Sequence, residues 1–571
     1  MTAARIVRRE APACADWPED VHPVLRRVYA ARGLRTHAET KLGLADLLSP
    51  ALMGGIDAAV SLLVEAIRQD RRIVVVGDFD CDGATGVAVG VRGLRMLGAR
   101  HVAYRVPHRI EHGYGLTPAL VDALRVLDPQ VVVTVDNGIA CHSGIAAAKA
   151  QGWSVLVTDH HLPGAVLPPA DAIVNPNLAG DIFPSKALAG VGTLFYLLLA
   201  TRQRLRGEGW FDISRFAQGE PDLACLLDLV AVGTIADMVP LDANNRVLVA
   251  AGLRRMRKGQ CLPGLRALVE VAGRRLDRLG ASDIGFFVAP RLNAAGRLED
   301  MAIGVECLLS DDPAHAAELA RTLDAINRER RDVQESMLDD ASLLVAATAA
   351  GSAVSVCVRD ARWHPGVVGL VASKLKDRLH RPVIAFAPAA EAGGEWRGSA
   401  RSIPGFHIRD ALAEVDAMHP GLIRRFGGHA MAAGLSLMQG ELDAFAAAFE
   451  TAASRRIAPE LLEAVVMSDG ELGPGEFGLD LARRLRDGGP WGQGFPEPQF
   501  DGRFEVRSWR VVGERHLKYE LDGFGARIDA IEFGGWTGEP PPPSLRIVYR
   551  LDINTWRDRE SAQLVIVHRE P

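Results

Sequence analysis

The sequence predicts an α/β protein of several domains: a parallel-sheet domain, a long connecting helix, a second α/β domain and a C-terminal β-barrel. Three observations carry that prediction. Short β-branched runs alternate with Ala- and Leu-rich stretches from about residue 70 to 245, the pattern of a parallel sheet covered on both faces. Residues 311–348 hold no glycine and one early proline, with charges interleaved among Leu, Ile and Met, which reads as one long helix or two in succession. From about 460 the chain turns to short alternating strands with few helix signals, as in a small barrel.

In order, the first sheet takes its strands from RIVVV (72–76), HVAYRV (101–106), VVVTV (131–135), SVLVT (154–158) and DAIVN (171–175). SAVSVCVR and PVIAFA supply strands to the second α/β domain, over about 352–455. FEVRSWRVV, LKYELDG, SLRIVYRLDI and AQLVIVH build the barrel, and PPPP (540–543) reads as a loop. A length of 571 residues leaves room for about three to four domains, each with its own core.

Composition narrows the class. With 48% hydrophobic and 24% charged positions the chain is an ordinary globular one, not disordered, collagenous or coiled-coil. Seven scattered cysteines without a CxxC pair support neither a disulfide framework nor a cysteine zinc site, and a reducing cytoplasm is expected. The N-terminus has no apolar signal-like core, and the longest nearly apolar stretch, about 187–200, is too short for a bilayer; no membrane is expected. The formal net charge of -6 argues against a generic nucleic-acid binder, although it averages over patches that a ligand meets one at a time.

The chemistry lies at the ends of the apolar segments, where ligands of parallel sheets bind. The first strand runs into Gly77-Asp78-Phe79-Asp80-Cys81-Asp82-Gly83, three carboxylates at alternate positions that repel one another unless a cation neutralises them. An EF-hand is excluded, because its twelfth position needs a bidentate Glu and here holds Val89. VVVTV leads to Asp136, SVLVT to Asp159-His160-His161, and the later apolar run LLDLVAVGTIA to Asp237. A lone Asp in such a place is usually a helix cap, but four in succession at strand ends point to one cluster. Carboxylates with one or two imidazoles suit Mn²⁺ or Mg²⁺ better than Zn²⁺ or Co²⁺. So many acids suggest two ions, an arrangement that activates water and stabilises in-line displacement at phosphorus.

DFDCDG, VDNG, DHH and Asp237 together resemble the motifs of the DHH phosphoesterase superfamily. The wider pattern is similar to its bacterial single-strand-specific exonucleases, through PHRIEHGYGL (107–116), RLNAAGRLED (291–300), GSARSIPGFHIRDAL (398–412), GGHAMAAG (427–434) and PWGQGFPEP (490–498). The resemblance implies an N-terminal extension (1–40), a parallel-sheet DHH domain (41–310), a connecting helix (311–348), a DHHA1-like substrate-binding domain (349–458) and an OB-fold nucleic-acid-binding barrel (459–571). It implies that Asp78, Asp80, Asp82, Asp136, His160 and Asp237 hold two divalent ions, Mn²⁺ preferred or Mg²⁺, with Asp136 as the bridge. His161 would face the scissile phosphate, Asp159 would orient its neighbours, and Arg297 would stabilise developing charge. Phe79, where relatives often carry Tyr, would offer a stacking face. Arg109, Ser399, Arg401 and His429 lie in Gly-rich or strand-end contexts where an anion can approach closely, and they would grip phosphates.

The C-terminal stretch adds a hint of its own. Phe495, Phe500, Phe504, Trp509, Tyr519, Phe524, Phe533, Trp536, Tyr549 and Trp556 crowd there, interleaved with Arg503, Arg507, Arg510 and Arg550. Such rings either stack on unpaired bases or form the barrel's core. The expected function is a two-metal 5′→3′ exonuclease that degrades single-stranded DNA to mononucleotides in recombination and repair. A monomer is expected, fed by a RecQ-type helicase and a single-strand-binding protein. A phosphodiesterase for short oligoribonucleotides or cyclic dinucleotides would not need the barrel, and an inactive scaffold would have lost ligands that are all present. Two divalent ions would also move the formal charge from -6 to about -2, which removes the objection raised by composition.

Overall fold

The computed structural model describes the chain apart from residues 1–3, 13–16, 213–215, 217–218, 349–352, 390–393, 524, 558 and 571. The chain divides into two compact units. One gathers Ala11–Asn327 and Arg484–Glu497, the other Met1–Glu10, Arg328–Arg483 and Pro498–Pro571.

In the first unit five strands form a wholly parallel sheet in the order Val102–Arg105, Ile73–Val76, Val131–Val135, Ser154–Thr158, Ala172–Val174. Counted along the chain this is 2-1-3-4-5, a doubly wound order whose ligand crevice opens between the first and third strands, at their carboxyl ends. Those two strands are buried at every position, so their sequences, IVVV and VVVTV, are runs of β-branched residues with no polar alternation. On one face Val74, Val76, Val132 and Val155 pack with Leu120, Leu124, Ile145 and Trp153. On the other, helix Cys81–Met96 presses Gly86 and Gly90 onto the sheet, where an added Cβ would stand 2.5 Å from Val135 and 3.1 Å from Val75.

In the second unit Val356–Arg359 pairs parallel with Val383–Pro388. Glu395–Arg401, Ala432–Met438 and Arg425–Gly428 then extend that sheet antiparallel, over a core of Phe386, Phe406, Phe445 and Phe449. The closed barrel has the order Phe500–Val512, His516–Gly523, Ala526–Glu532, Arg559–Glu570, Ser544–Trp556. Ala526–Glu532 is a strand that sequence reasoning missed, because ARIDAIE is short and all of its residues but the two isoleucines are charged or small. Pro313–Thr348 is a single helix of 36 residues.

The barrel's rings divide between the two readings left open. Phe500, Phe504, Tyr519 and Tyr549 are buried in the barrel, as the core reading has it, and Phe495 is buried in the first unit. Trp509 and Phe533 remain exposed, at 37% and 63%, and Trp509 stacks on Trp536 with centroids 5.6 Å apart. Phe524 and the Trp556 side chain lie outside the described residues. The N-terminal stretch, silent in sequence, supplies strand Arg5–Arg8, which pairs parallel with Val465–Ser468. Arg8 forks onto Asp501 with Nε and Nη2 at 2.9 and 2.7 Å. Among the described residues no single helix is long and apolar enough to cross a membrane.

Candidate metal centre

The first carboxylates are placed by the turn that leaves strand Ile73–Val76. Asp80 is the N-cap of helix Cys81–Met96, its Oδ1 accepting Gly83 N–H at 3.0 Å. Asp82, buried in the first turn, accepts the N–H groups of Gly190 and Val191 at 2.6 and 3.0 Å, so it also caps helix Gly190–Gly207. Asp78 lies so close to Gly83 that a Cβ there would stand 2.4 Å from its backbone N and O.

Asp136 leaves strand Val131–Val135 with φ +62, in the left-handed region, a conformation that costs a non-glycine residue roughly 1–2 kcal/mol. Neighbours hold it there. Tyr114 Oη donates to its carbonyl at 3.1 Å, and Asn137 Nδ2 donates to Val76 O and Val135 O, tying the two strand ends together. Gly190 must be glycine, since a Cβ would stand 2.5 Å from that of Asp136.

Asp159-His160-His161 follows strand Ser154–Thr158. Asp159 Oδ1 accepts from His160 N, His161 N and His161 Nδ1 at 2.7, 3.1 and 2.8 Å, and Oδ2 from Ile139 N at 2.9 Å. Asn177 and Asn175 Nδ2 hold the carbonyls of His160 and His161 at 2.6 and 2.8 Å. His160 Nε2 stands 3.1 Å from Asp136 Oδ1 and 3.5 Å from Asp237 Oδ2. Asp237 does not follow a strand as expected. It caps the C-terminus of helix Leu227–Ala236, because an apolar run of that length fits a fully buried helix as well as a buried strand.

The structure therefore gathers the predicted cluster, in three overlapping groups whose oxygens and nitrogens lie within 4.8 Å of one another: Asp78, Asp80 and Asp136; Asp82, His160 and Asp237; Asp136, Asp159, His160 and His161. Asp78 Oδ1 and Asp237 Oδ2 are buried without a hydrogen-bond partner, the condition a cation would relieve. Burial, then the neighbouring carboxylates, push Asp78, Asp136 and Asp237 well above the usual carboxylate range, and Asp82 to about 7. Asp159 goes the other way: burial would raise it, but the His161 hydrogen bond and charge together with backbone N–H groups hold it below. His161 is raised, the pull of burial being outweighed by Asp159 and by Asp78 and Asp80.

Arg109 and Phe79 also meet here, but not as expected. Phe79 is buried, and the Arg109 guanidinium lies 3.8 Å from its ring centroid while Arg109 Nε donates to Gly296 O at 2.8 Å. The ring is thus a platform for Arg109 and not a free face for a base. Helix Ala289–Leu298, which carries Arg297, is locked onto the same loop: Asn293 Oδ1 accepts Cys81 N–H at 2.8 Å, and a Cβ on Gly296 would stand 1.8 Å from Phe79 O.

In the second unit Arg401 Nη1 donates to Ser399 Oγ at 2.9 Å and Nε to Ser373 Oγ at 3.1 Å. The pair lies against Gly369, in the first turn of helix Val368–Leu379, where a Cβ would stand 2.8 Å from Arg401 Nη2. His429 is exposed in the loop between strands Arg425–Gly428 and Ala432–Met438. Sequence reasoning missed Tyr114, Asn137, Asn175, Asn177, Asn293 and Gly190. Tyr114, Asn137 and Asn293 lie within the quoted segments PHRIEHGYGL, VDNG and RLNAAGRLED without being singled out, and Asn175 and Asn177 sit at a strand end.

The fold and the site are those of a DHH-family protein. The DHH family N-terminal domain model matches residues 72–234, the DHHA1 domain 349–455 and the RecJ OB domain 468–568. Over 98% of both chains the sequence is 49% identical to the single-stranded-DNA-specific exonuclease RecJ of Salmonella typhimurium and 48% identical to that of Escherichia coli. RecJ of Thermus thermophilus, solved in complex with Mn²⁺, superposes with a TM-score of 0.80 at 32% identity, covering 99% of this chain and 79% of that one; its Mg²⁺ complex gives 0.76. The chain belongs to the RecJ family.

Proposed function

We propose that this chain is a 5′→3′ exonuclease that hydrolyses single-stranded DNA to 5′-mononucleotides in recombination and repair. The observation that carries the reading is the convergence of Asp78, Asp80 and Asp136 with Asp82, His160 and Asp237 at the sheet's switch point. The first three would hold one divalent ion and the second three another, with Asp136, 3.1 Å from His160, reaching both. A carboxylate-rich set with one imidazole suits Mn²⁺ first and Mg²⁺ next. Bound there, such a pair of ions supplies an activated water and neutralises charge at the phosphate.

The chain's own groups do the positioning. Asp159 accepts a hydrogen bond from His161 Nδ1–H, which leaves Nε2 to meet the scissile phosphate. Arg109, held by Phe79 and Gly296, and Arg297 offset phosphate charge, while Ser399, Arg401 and His429 bind phosphates of the strand. Trp509 and Trp536 supply a stacking platform on the barrel. A RecQ-type helicase and a single-strand-binding protein deliver substrate to a monomer in the cytoplasm.

The test is digestion of 5′-labelled single-stranded DNA, duplex DNA and a short RNA with Mn²⁺, beside Asp136→Ala. Rapid loss of single-stranded DNA alone, abolished in the variant, is expected. Equal cleavage of duplex, preference for the RNA, or an active variant would overturn the reading.

A further inference from the structure

The segment PHRIEHGYGL brings Tyr114, which binds the Asp136 carbonyl, to the metal centre. Tyr114 is flanked by Gly113 and Gly115, with φ of +76 and +67, conformations that glycine adopts without strain. Gly115 rests so tightly on the following turn that a Cβ would stand 2.8 Å from Cys141 Sγ and 3.2 Å from Asn137 Cβ. The loop is closed on itself by His108 N–H donating to His112 Nδ1 at 3.0 Å and Thr117 Oγ1 donating to His112 O at 3.0 Å. The two glycines and these bonds make a pedestal with one side chain on top.

That side chain reaches three components of the centre. Its ring stands edge-on to Phe79 and to His161, with centroids 6.1 and 6.0 Å away. Its hydroxyl donates to the carbonyl of Asp136, the one candidate ligand whose backbone is left-handed without being glycine. Asp136 completes the Asp78–Asp80 group, and its Oδ1 stands 3.1 Å from His160 Nε2 of the group with Asp82 and Asp237. A small rotation of its peptide would carry the carboxylate away from one group or the other, so whatever fixes that carbonyl fixes the geometry of both.

We infer that Tyr114 is a positioning residue: its hydroxyl clamps the Asp136 peptide so that one carboxylate serves two divalent ions, and its ring backs His161. This rests on the two-ion reading of the centre, and it separates from that reading experimentally. Tyr114→Phe keeps the ring and removes the clamp, together with the hydroxyl's 3.4 Å approach to His161 Nδ1. In the full chain without DNA, calorimetric titration with Mn²⁺ should show affinity weaker by about 2- to 10-fold, the loss of one neutral hydrogen bond. With Mn²⁺ and a 5′-phosphorylated oligonucleotide below saturation by metal, kcat should fall by a similar factor at unchanged KM for DNA, and the melting temperature should stay within a degree or two. Gly113→Ala has open space for its methyl but strains the pedestal, and should weaken Mn²⁺ binding in the same direction with Tyr114 intact. Unchanged Mn²⁺ affinity in Tyr114→Phe overturns the inference whatever happens to kcat, and a rise in KM alone makes Tyr114 a DNA contact instead. Failure of the wild-type chain to bind Mn²⁺ would instead condemn the two-ion reading itself.

Discussion

Gly190 shows how closely single atoms govern the metal centre. Its N–H binds Asp82 Oδ2, and its missing side chain leaves room for Asp136. Gly190→Ala should therefore cost about 1–3 kcal/mol through overpacking and weaken Mn²⁺ binding more than tenfold, read by thermal unfolding and titration. Gly83 and Gly296 make equally close approaches, to Asp78 and Phe79. The acids at these positions were legible in the sequence because three carboxylates at alternate positions are costly without a counter-ion. The glycines and asparagines that seat them were not. Asn293 and Cys81 are far apart in the chain, and their bond exists only once helix Ala289–Leu298 has docked.

Elements show the same division. The central strands of the first sheet were readable because burial on both faces demands runs of β-branched residues, whereas helix Leu227–Ala236 is equally apolar and carries no periodicity to betray it. Where elements meet, charge decides much of the stability. Arg291 and Asp324 are both buried and pair at 2.8 Å; Arg291→Ala should cost about 3–5 kcal/mol by removing one side of a buried ion pair, measured by thermal unfolding. Strand Arg5–Arg8 depends on a half-exposed version of this contact. Burial would raise Asp501, but hydrogen bonds from Arg8 and Ser468 hold it below the usual carboxylate range. A depressed folded value means that the stabilisation is complete above about pH 4 and is lost as pH falls through the folded value. Hydrogen exchange at the amides of Arg5–Arg8 should accelerate on acidification through that window. Arg8→Ala should already exchange faster at pH 7, with a smaller further change on acidification.

For the whole molecule, binding to single-stranded DNA should weaken steeply with salt, and replacing Trp509 and Trp536 by Ala should raise KM while leaving Mn²⁺ affinity alone. Truncation at residue 465 is a poorer way to remove the barrel. It also deletes Trp491 and Phe495, which belong to the first unit and continue a ladder of stacked rings, Trp17–Tyr29–Trp491–Phe495, with centroids 5.6, 6.1 and 5.1 Å apart. Arg246 covers the Phe495 end at 4.4 Å. The truncated chain should thus melt at lower temperature and bind Mn²⁺ less well, whereas the Trp509 and Trp536 variants should do neither.

That ladder also sets a schedule for synthesis. Tyr29 is synthesised long before its partner Trp491, which lies more than 450 positions later in the chain. After Asn327 has been made, translation must continue for on the order of ten to thirty seconds before Glu497 appears. For that interval Tyr29 lacks the Trp491 ring on which it stacks in the finished chain, and slowed translation would prolong that state.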